Sequence, residues 1–306
     1  MSSKRTLSMW NYLGLAGTAA KIATAVVYAS LTGFLRPRKD VLTYREWIQT
    51  WTMWGFIHYG TIEQRQTVVY FLHGGGYINP ASALHFQWAQ KMVDEARSHN
   101  KEMAMVVLHY ELAPSGAYPK QLQQATAGLQ YLTDTCGKSP SDIIVIGDSA
   151  GGNLACGLFA HLCRPHPSVT PVKMSRPLKA GIFVSPWVTF AQNSPSMNVD
   201  RSLDYMSRSA LENASQAFMS NAPVDEYNTP LAASPEFWKN LSQTVQTIRI
   251  LAGGANLVFA QVHNGEKVEI FVDSKGQHDT PLVDIFRGQE GPSTLKVYDW
   301  LNELVL

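Results

Sequence analysis

Residues Asp142–Gly157 read DIIVIGDSAGGNLACG: an apolar, β-branched run passes straight into a glycine-rich turn and then into a helical pattern. Ser149 stands between Gly147 and Gly151 in the arrangement G-x-S-x-G. A serine on a sharp strand-to-helix turn has its hydroxyl exposed at the strand end, and the new helix's N-terminus favours negative charge beside it. Glycines flank it because neighbouring backbone must approach closely. G-x-S-x-G also occurs as a plain structural turn, but the strand before it and the helix after it supply the context that a nucleophile needs.

Upstream, the apolar run TVVYFL (Thr67–Leu72) ends in HGGGY, His73–Tyr77. Three glycines after a strand leave backbone N–H groups bare, and such groups can donate to the oxyanion of a tetrahedral intermediate. A flexible loop or a phosphate cradle would show the same glycines. A phosphate loop, however, wants a Lys-Ser or Lys-Thr after them, and none follows. His73 is expected to hydrogen-bond the loop rather than to act as a base.

Around these two motifs, short apolar runs alternate with longer helical stretches. The runs are TVVYFL, MAMVVL, IIVIG, AGIFV, IRILA and VEIFV; the helical patterns fall near 85–99, 119–135, 150–163 and 293–305. That alternation predicts an α/β fold, a doubly wound, mostly parallel sheet with helices on both faces, over residues 67–306. Residues 187–245, rich in Asn, Ser and Pro, break the rhythm and are expected to form a lid excursion with short helices. Residues 1–66 are expected to form an N-terminal helical, membrane-proximal cap, with the Trp-rich YREWIQTWTMWGF as a buried helix face.

Composition narrows the function classes. The 306 residues carry 25 Lys plus Arg against 24 Asp plus Glu, so no basic field for nucleic acid is present and no nucleic-acid partner is expected. Cys136, Cys156 and Cys163 lack metal-ligand spacing and are odd in number, which fits neither a zinc site nor a disulfide framework and suits an intracellular compartment. The N-terminal apolar run is flanked by Lys4-Arg5 and by Arg36, Arg38 and Lys39, with Lys21 near its middle. A signal anchor, an interfacial helix and a capping helix all fit that run. A central lysine costs about 3 kcal/mol on insertion, which favours surface contact through residues 7–35 over a span. The expected location is cytoplasmic, or peripheral on a membrane such as the endoplasmic reticulum.

HGGGY and GDSAGG, together with YELAP (Tyr110–Pro114) and HDTP (His278–Pro281), resemble the hormone-sensitive-lipase branch of the α/β-hydrolase superfamily. The likeness is strongest to fungal-type esterases, including steryl acetyl hydrolases and hydrolases of secondary metabolism. The resemblance implies Ser149 as nucleophile, His278 as general base and the amides of Gly75, Gly76 and Ala150 as oxyanion donors. Asp148 and Gly152 would support the turn, with no metal and no cofactor. Three departures stand out. Little sequence precedes Thr67 for the family's first strands, so one or two edge strands could be missing. The position aligned with the family's triad acid is Asn256. Only 22 residues separate Asn256 from His278, which shortens or removes the helix expected there.

A triad acid selects the imidazole tautomer and stabilises the imidazolium; an amide can orient but supplies no charge. Asp273, at the end of VEIFVD, is the better placed substitute; Glu266 and Asp225 are further candidates and Asp279 is expected to point away from its neighbour His278, while the leading reading is that all four are solvated or structural. Trp187, Tyr77, Phe218, Met219 and Trp238 could line an apolar pocket, though each could equally be core. The expected reaction is hydrolysis of a short acyl ester, such as an acetyl ester, of a hydrophobic alcohol. The rival reading is a non-hydrolytic, metabolite-binding or biosynthetic protein with a degraded triad. If Asn256 occupies the acid position, Asn256→Asp raises kcat on a short aryl ester at least about tenfold with little change in KM. If Asp273 serves instead, Asp273→Asn abolishes most turnover and Asn256→Asp does not help. Steady-state kinetics on both variants separates the two.

Overall fold

The structure, a computed structural model, describes residues 55–59, 62, 65–191, 207–253 and 268–305. In chain order the main elements are β1 (Gly55–Tyr59), β2 (Thr67–Leu72), α1 (Ala83–Ser98), β3 (Met103–His109), α2 (Lys120–Gln130), β4 (Ile143–Asp148) and α3 (Ser149–Cys163). Then follow β5 (Leu178–Val184), α4 (Arg208–Met219), β6 (Val245–Gly253), β7 (Val268–Asp273), α5 (Thr280–Arg287) and α6 (Pro292–Leu304).

The strands form one sheet in the order β1-β3-β2-β4-β5-β6-β7. β2 through β7 run parallel to their neighbours, and β1 pairs antiparallel with β3, from Gly55 opposite His109 to Tyr59 opposite Met105. The apolar runs are nearly continuous because both faces of the central strands are covered. On β2, Val68, Tyr70 and Leu72 join one core with Leu122 of α2 and Leu154 of α3, while Val69 and Phe71 join the other with Trp88 of α1 and Trp300 of α6. β4 divides the same way, Ile143 and Val145 against Ile144 and Ile146. Helices thus cover both faces, as a doubly wound sheet requires.

Gly55–Tyr59 corrects one expectation. This piece, placed by sequence in a helical cap, is an edge strand, so the sheet continues beyond β3. GFIHY is rich in residues that suit a pleated surface, and pairing with β3 satisfies backbone groups that an open edge would leave bare. Gly55 and Phe56 of the Trp-rich segment therefore belong to a strand. The other differences are smaller: β6 starts at Val245, in the tail of the expected excursion, and α5 was not anticipated. The N-terminal apolar run lies outside the described residues. Among those described, no helix is long and apolar enough to cross a membrane.

The strand order sets where a site can form. From β2 the chain moves outward to β3, then returns across β2 to β4 and continues to β7. The segments leaving β2 and β4 therefore part to opposite faces, α1 with one core and α3 with the other, and open a crevice at the carboxyl ends of adjacent strands. HGGGY leaves β2 and GDSAGG leaves β4, so the two motifs meet there.

A polar staple fixes the C-terminal helices beneath that crevice. Asp284, buried on α5, accepts hydrogen bonds from Gln289 Nε2 at 3.0 Å, Gly291 N at 2.8 Å and Thr294 Oγ1 at 2.6 Å, tying α5 to the first turn of α6. Asp284→Ala would leave a buried hydroxyl and a backbone amide without their acceptor, and is expected to cost about 2–3 kcal/mol, read as a lowered urea midpoint.

Candidate active site

Ser149 adopts φ 50, a left-handed conformation that a non-glycine residue rarely takes, at the first position of α3. The turn survives because its surroundings over-determine it. Gly151 faces the carbonyls of Leu72 and His73, where a Cβ would collide with the Leu72 oxygen. Pro186 lies against Gly152 on the other side, and Trp187 N donates to the Ser149 carbonyl at 3.0 Å.

The glycine loop is fastened to this turn by the residue before the serine. Asp148, fully buried, accepts from Gly74 N at 2.9 Å through Oδ1 and from His85 Nε2 at 3.2 Å through Oδ2. Ser82 N donates to His85 Nδ1 at 3.0 Å, which puts the His85 proton on Nε2, facing Asp148. Gly75 has φ 108, a region closed to side chains, and Gly76 has φ 63. Ala150 lies in the first turn of α3, where an amide has no partner within its own helix. The three amides named from sequence thus lie on the two segments that Asp148 joins.

His73 is a structural residue. Its ring stacks on Tyr110 with centroids 4.3 Å apart, and Nδ1 donates to the Gly74 carbonyl at 2.6 Å. Burial, with His85 close by, pushes its pKa down to about 3, so it stays neutral. Tyr110, from YELAP, donates to the His73 carbonyl at 2.6 Å.

A hub that sequence reasoning missed is Asn153, one turn into α3. Its Oδ1 accepts from Tyr77 Oη at 2.6 Å, and its Nδ2 donates to the carbonyls of Trp187 at 2.7 Å and Asn228 at 2.8 Å. It joins the glycine loop, the segment after β5 and the excursion. The only sequence hint was its place four residues after the serine on the same helix face. Of the aromatic candidates, Tyr77, Phe218 and Trp238 are buried in the core, and Tyr77 stacks on Phe218 at 3.8 Å. Trp187 and Met219 are partly buried, and Trp187 meets Phe190 edge-on at 4.7 Å.

The structure brings His278 to Ser149: Nε2 lies 2.8 Å from Oγ. The described carboxylate candidates divide between structural contacts and the imidazole. Asp273 does not turn to His278; its Oδ2 accepts from Ser293 Oγ at 2.7 Å and its Oδ1 from Lys275 N at 3.0 Å, which closes the turn after β7 and holds α6. Asp225 accepts from Tyr118 Oη at 2.8 Å and from the amides of Tyr227 and Asn228, shaping the excursion. Asp279, expected to point away, has Oδ2 3.2 Å from His278 Nε2. Divergence of adjacent side chains is a property of extended backbone, and Asp279 is left-handed, with φ 49 and ψ 46. Asn256 and Glu266 lie outside the described residues.

Comparison with known proteins agrees with this architecture. Over 124 residues the chain is 31% identical to Steryl acetyl hydrolase 1 of Saccharomyces cerevisiae, covering 39% of this chain and 26% of that protein. Over 100 residues it is 33% identical to Carboxylesterase NlhH of Mycobacterium tuberculosis, covering 32% and 30%. The matched stretches thus span well under half of those relatives. Two solved structures share the fold. A hormone-sensitive lipase from a metagenome library gives a TM-score of 0.67 at 17% identity, covering 98% of this chain and 100% of that one. An esterase from the bacterial hormone-sensitive lipase family gives 0.65 at 18% identity, covering 91% and 90%. With a family model described as alpha/beta hydrolase fold matching residues 68–269, the chain belongs to that family.

Proposed function

We propose that the protein is a serine carboxylic-ester hydrolase that removes a short acyl group, such as acetyl, from a hydrophobic alcohol or metabolite. The observation that carries this reading is the 2.8 Å contact between Ser149 Oγ and His278 Nε2 on a left-handed turn beside the glycine loop. That is the hydrogen bond a nucleophile needs with its base.

Ser149 Oγ attacks the ester carbonyl carbon as its proton passes to His278 Nε2. The carbonyl π pair moves onto oxygen, and the amides of Gly75, Gly76 and Ala150 donate to the resulting oxyanion. As the tetrahedral intermediate collapses, the C–O bond to the alcohol breaks and Nε2–H protonates the departing oxygen. Water, deprotonated by the same nitrogen, then attacks the acyl carbon; as the acyl C–Oγ bond breaks, Nε2–H returns its proton to Ser149 Oγ and the acid departs.

The short acyl group and hydrophobic alcohol draw support from three sources. The aromatic residues Trp187 and Phe190 follow β5 next to the serine turn, and Trp187 is hydrogen-bonded to it. The carboxylates of the site, Asp148 and Asp279, are almost fully buried and face protein groups, Gly74 and His85 for the first and His278 for the second, which leaves little to recognise a charged substrate. Relatives named for acetyl removal include the yeast steryl acetyl hydrolase and Arylacetamide deacetylase of Mus musculus, 30% identical over 99 residues.

A fluorophosphonate probe is expected to label the parent chain and to leave Ser149→Ala unlabelled. The same substitution should lower kcat on p-nitrophenyl acetate by at least about 10⁴-fold. A folded parent that takes no label, or an alanine variant that labels as well as the parent, would establish the metabolite-binding alternative instead.

A further inference from the structure

We propose that Asp279 is a positioning residue for this reaction: its carboxylate, held against Nε2 of His278, favours the protonated imidazole and so makes His278 the stronger base. The inference rests on the serine-hydrolase reading of the site and extends it to a residue outside the Ser149–His278 pair.

Three observations carry it. Asp279 Oδ2 lies 3.2 Å from the same nitrogen that meets Ser149 Oγ at 2.8 Å. The Asp279 side chain is only 5% exposed, so solvent screens the contact poorly. Its backbone is held in a left-handed conformation at the N-cap of α5, with its amide donating to Ser185 Oγ at 3.2 Å, and Ser185 is itself left-handed at φ 44. Two residues in sparsely populated backbone, one holding the other whose carboxylate reaches the reacting nitrogen, are the kind of strain that persists where geometry matters.

The placement differs from that of a triad acid, which addresses the other ring nitrogen. While Nε2 is unprotonated, its lone pair accepts from Ser149 Oγ and it offers no proton to the carboxylate beside it, so that second contact is repulsive. Once Nε2 has taken the Ser149 proton, the same contact becomes a charge-assisted attraction. The interaction therefore strengthens as the proton moves, which is the condition for lowering a barrier rather than tightening ground-state binding. When Nε2–H passes to the departing oxygen, the pair returns to its starting state with no net change at Asp279.

Other carboxylates near this corner are committed elsewhere. Asp148, next to Ser149 on α3, faces Gly74 and His85. Asp273 at the end of β7 is held by Ser293 and Lys275, and Asp284 on α5 by Gly291 and Thr294. None of these contacts reaches His278. Among the described carboxylates, the one that faces Nε2 is Asp279.

Asp279→Asn tests the proposal. Asparagine tolerates the left-handed backbone and keeps the amide that donates to Ser185, while the charge is lost. On p-nitrophenyl acetate, kcat is expected to fall roughly tenfold to a hundredfold with KM nearly unchanged. A neighbouring carboxylate raises the pH at which imidazole protonates, so its removal should move the acid limb of the kcat/KM profile down by about one pH unit. A purely structural role would lower activity without moving that limb. Asp279→Gly, which adopts the same backbone without strain, should give the same two effects and guards against misfolding of the first variant. Circular dichroism and urea midpoints identify which variants are folded. Folded variants with parental kcat, or with an acid limb that stays in place, overturn the proposal while leaving the hydrolase reading intact. A folded parent with neither turnover nor fluorophosphonate labelling overturns both.

Discussion

The Asp148 carboxylate, locked between the Gly74 amide and the His85 ring, is the interaction on which the site depends. It is buried at the end of β4, so its charge is tolerable only because both oxygens are bonded. Those bonds join two segments that leave adjacent strands for opposite faces of the sheet. Without them, the glycine loop and the serine turn would share a crevice but no fixed spacing. Backbone fit enforces the same join: Gly151 sits so close to the end of β2 that no side chain could stand there.

Asn153 extends this frame outward. One amide side chain reaches the glycine loop through Tyr77, the segment after β5 through the Trp187 carbonyl, and the excursion through Asn228. The Tyr77–Phe218 stack adds an apolar contact between the same loop and α4. The excursion is thus tied to the glycine loop through polar and aromatic contacts together. Its residues near the site are structural members first, while Trp187 is only partly buried and contacts the serine turn.

On the other side of the crevice, His278 depends on the short helix that follows it. α5 starts at Asp279–Thr280 and is held to α6 by Asp284, while Asp273 closes the turn after β7 and grips Ser293 at the start of α6. These two aspartates, each within a few residues of His278, serve its scaffold. Among the described residues, the carboxylate that reaches the imidazole does so because its backbone turns left-handed, with its amide held by the Ser185 hydroxyl.

The sequence alone determined the sheet, its parallel run and the two loops that meet at its carboxyl ends, because each is written locally. Apolar runs buried on both faces, glycines where backbones touch, and a serine between a strand and a helix are all short-range signals. It also marked His278, through HDTP. Tertiary structure decided what local pattern cannot carry. Gly55–Tyr59 becomes a strand because β3 offers an open edge, not because of a period of its own. Asp273 looked suited to the histidine from its place near a strand end, yet Ser293, twenty residues on, captures it. Asp279 looked misplaced because neighbours on extended chain diverge, and only the backbone angle of the folded molecule turns it inward. Asn153 gave almost no sign in sequence, since its three partners come from three separate segments that only the packed sheet brings together.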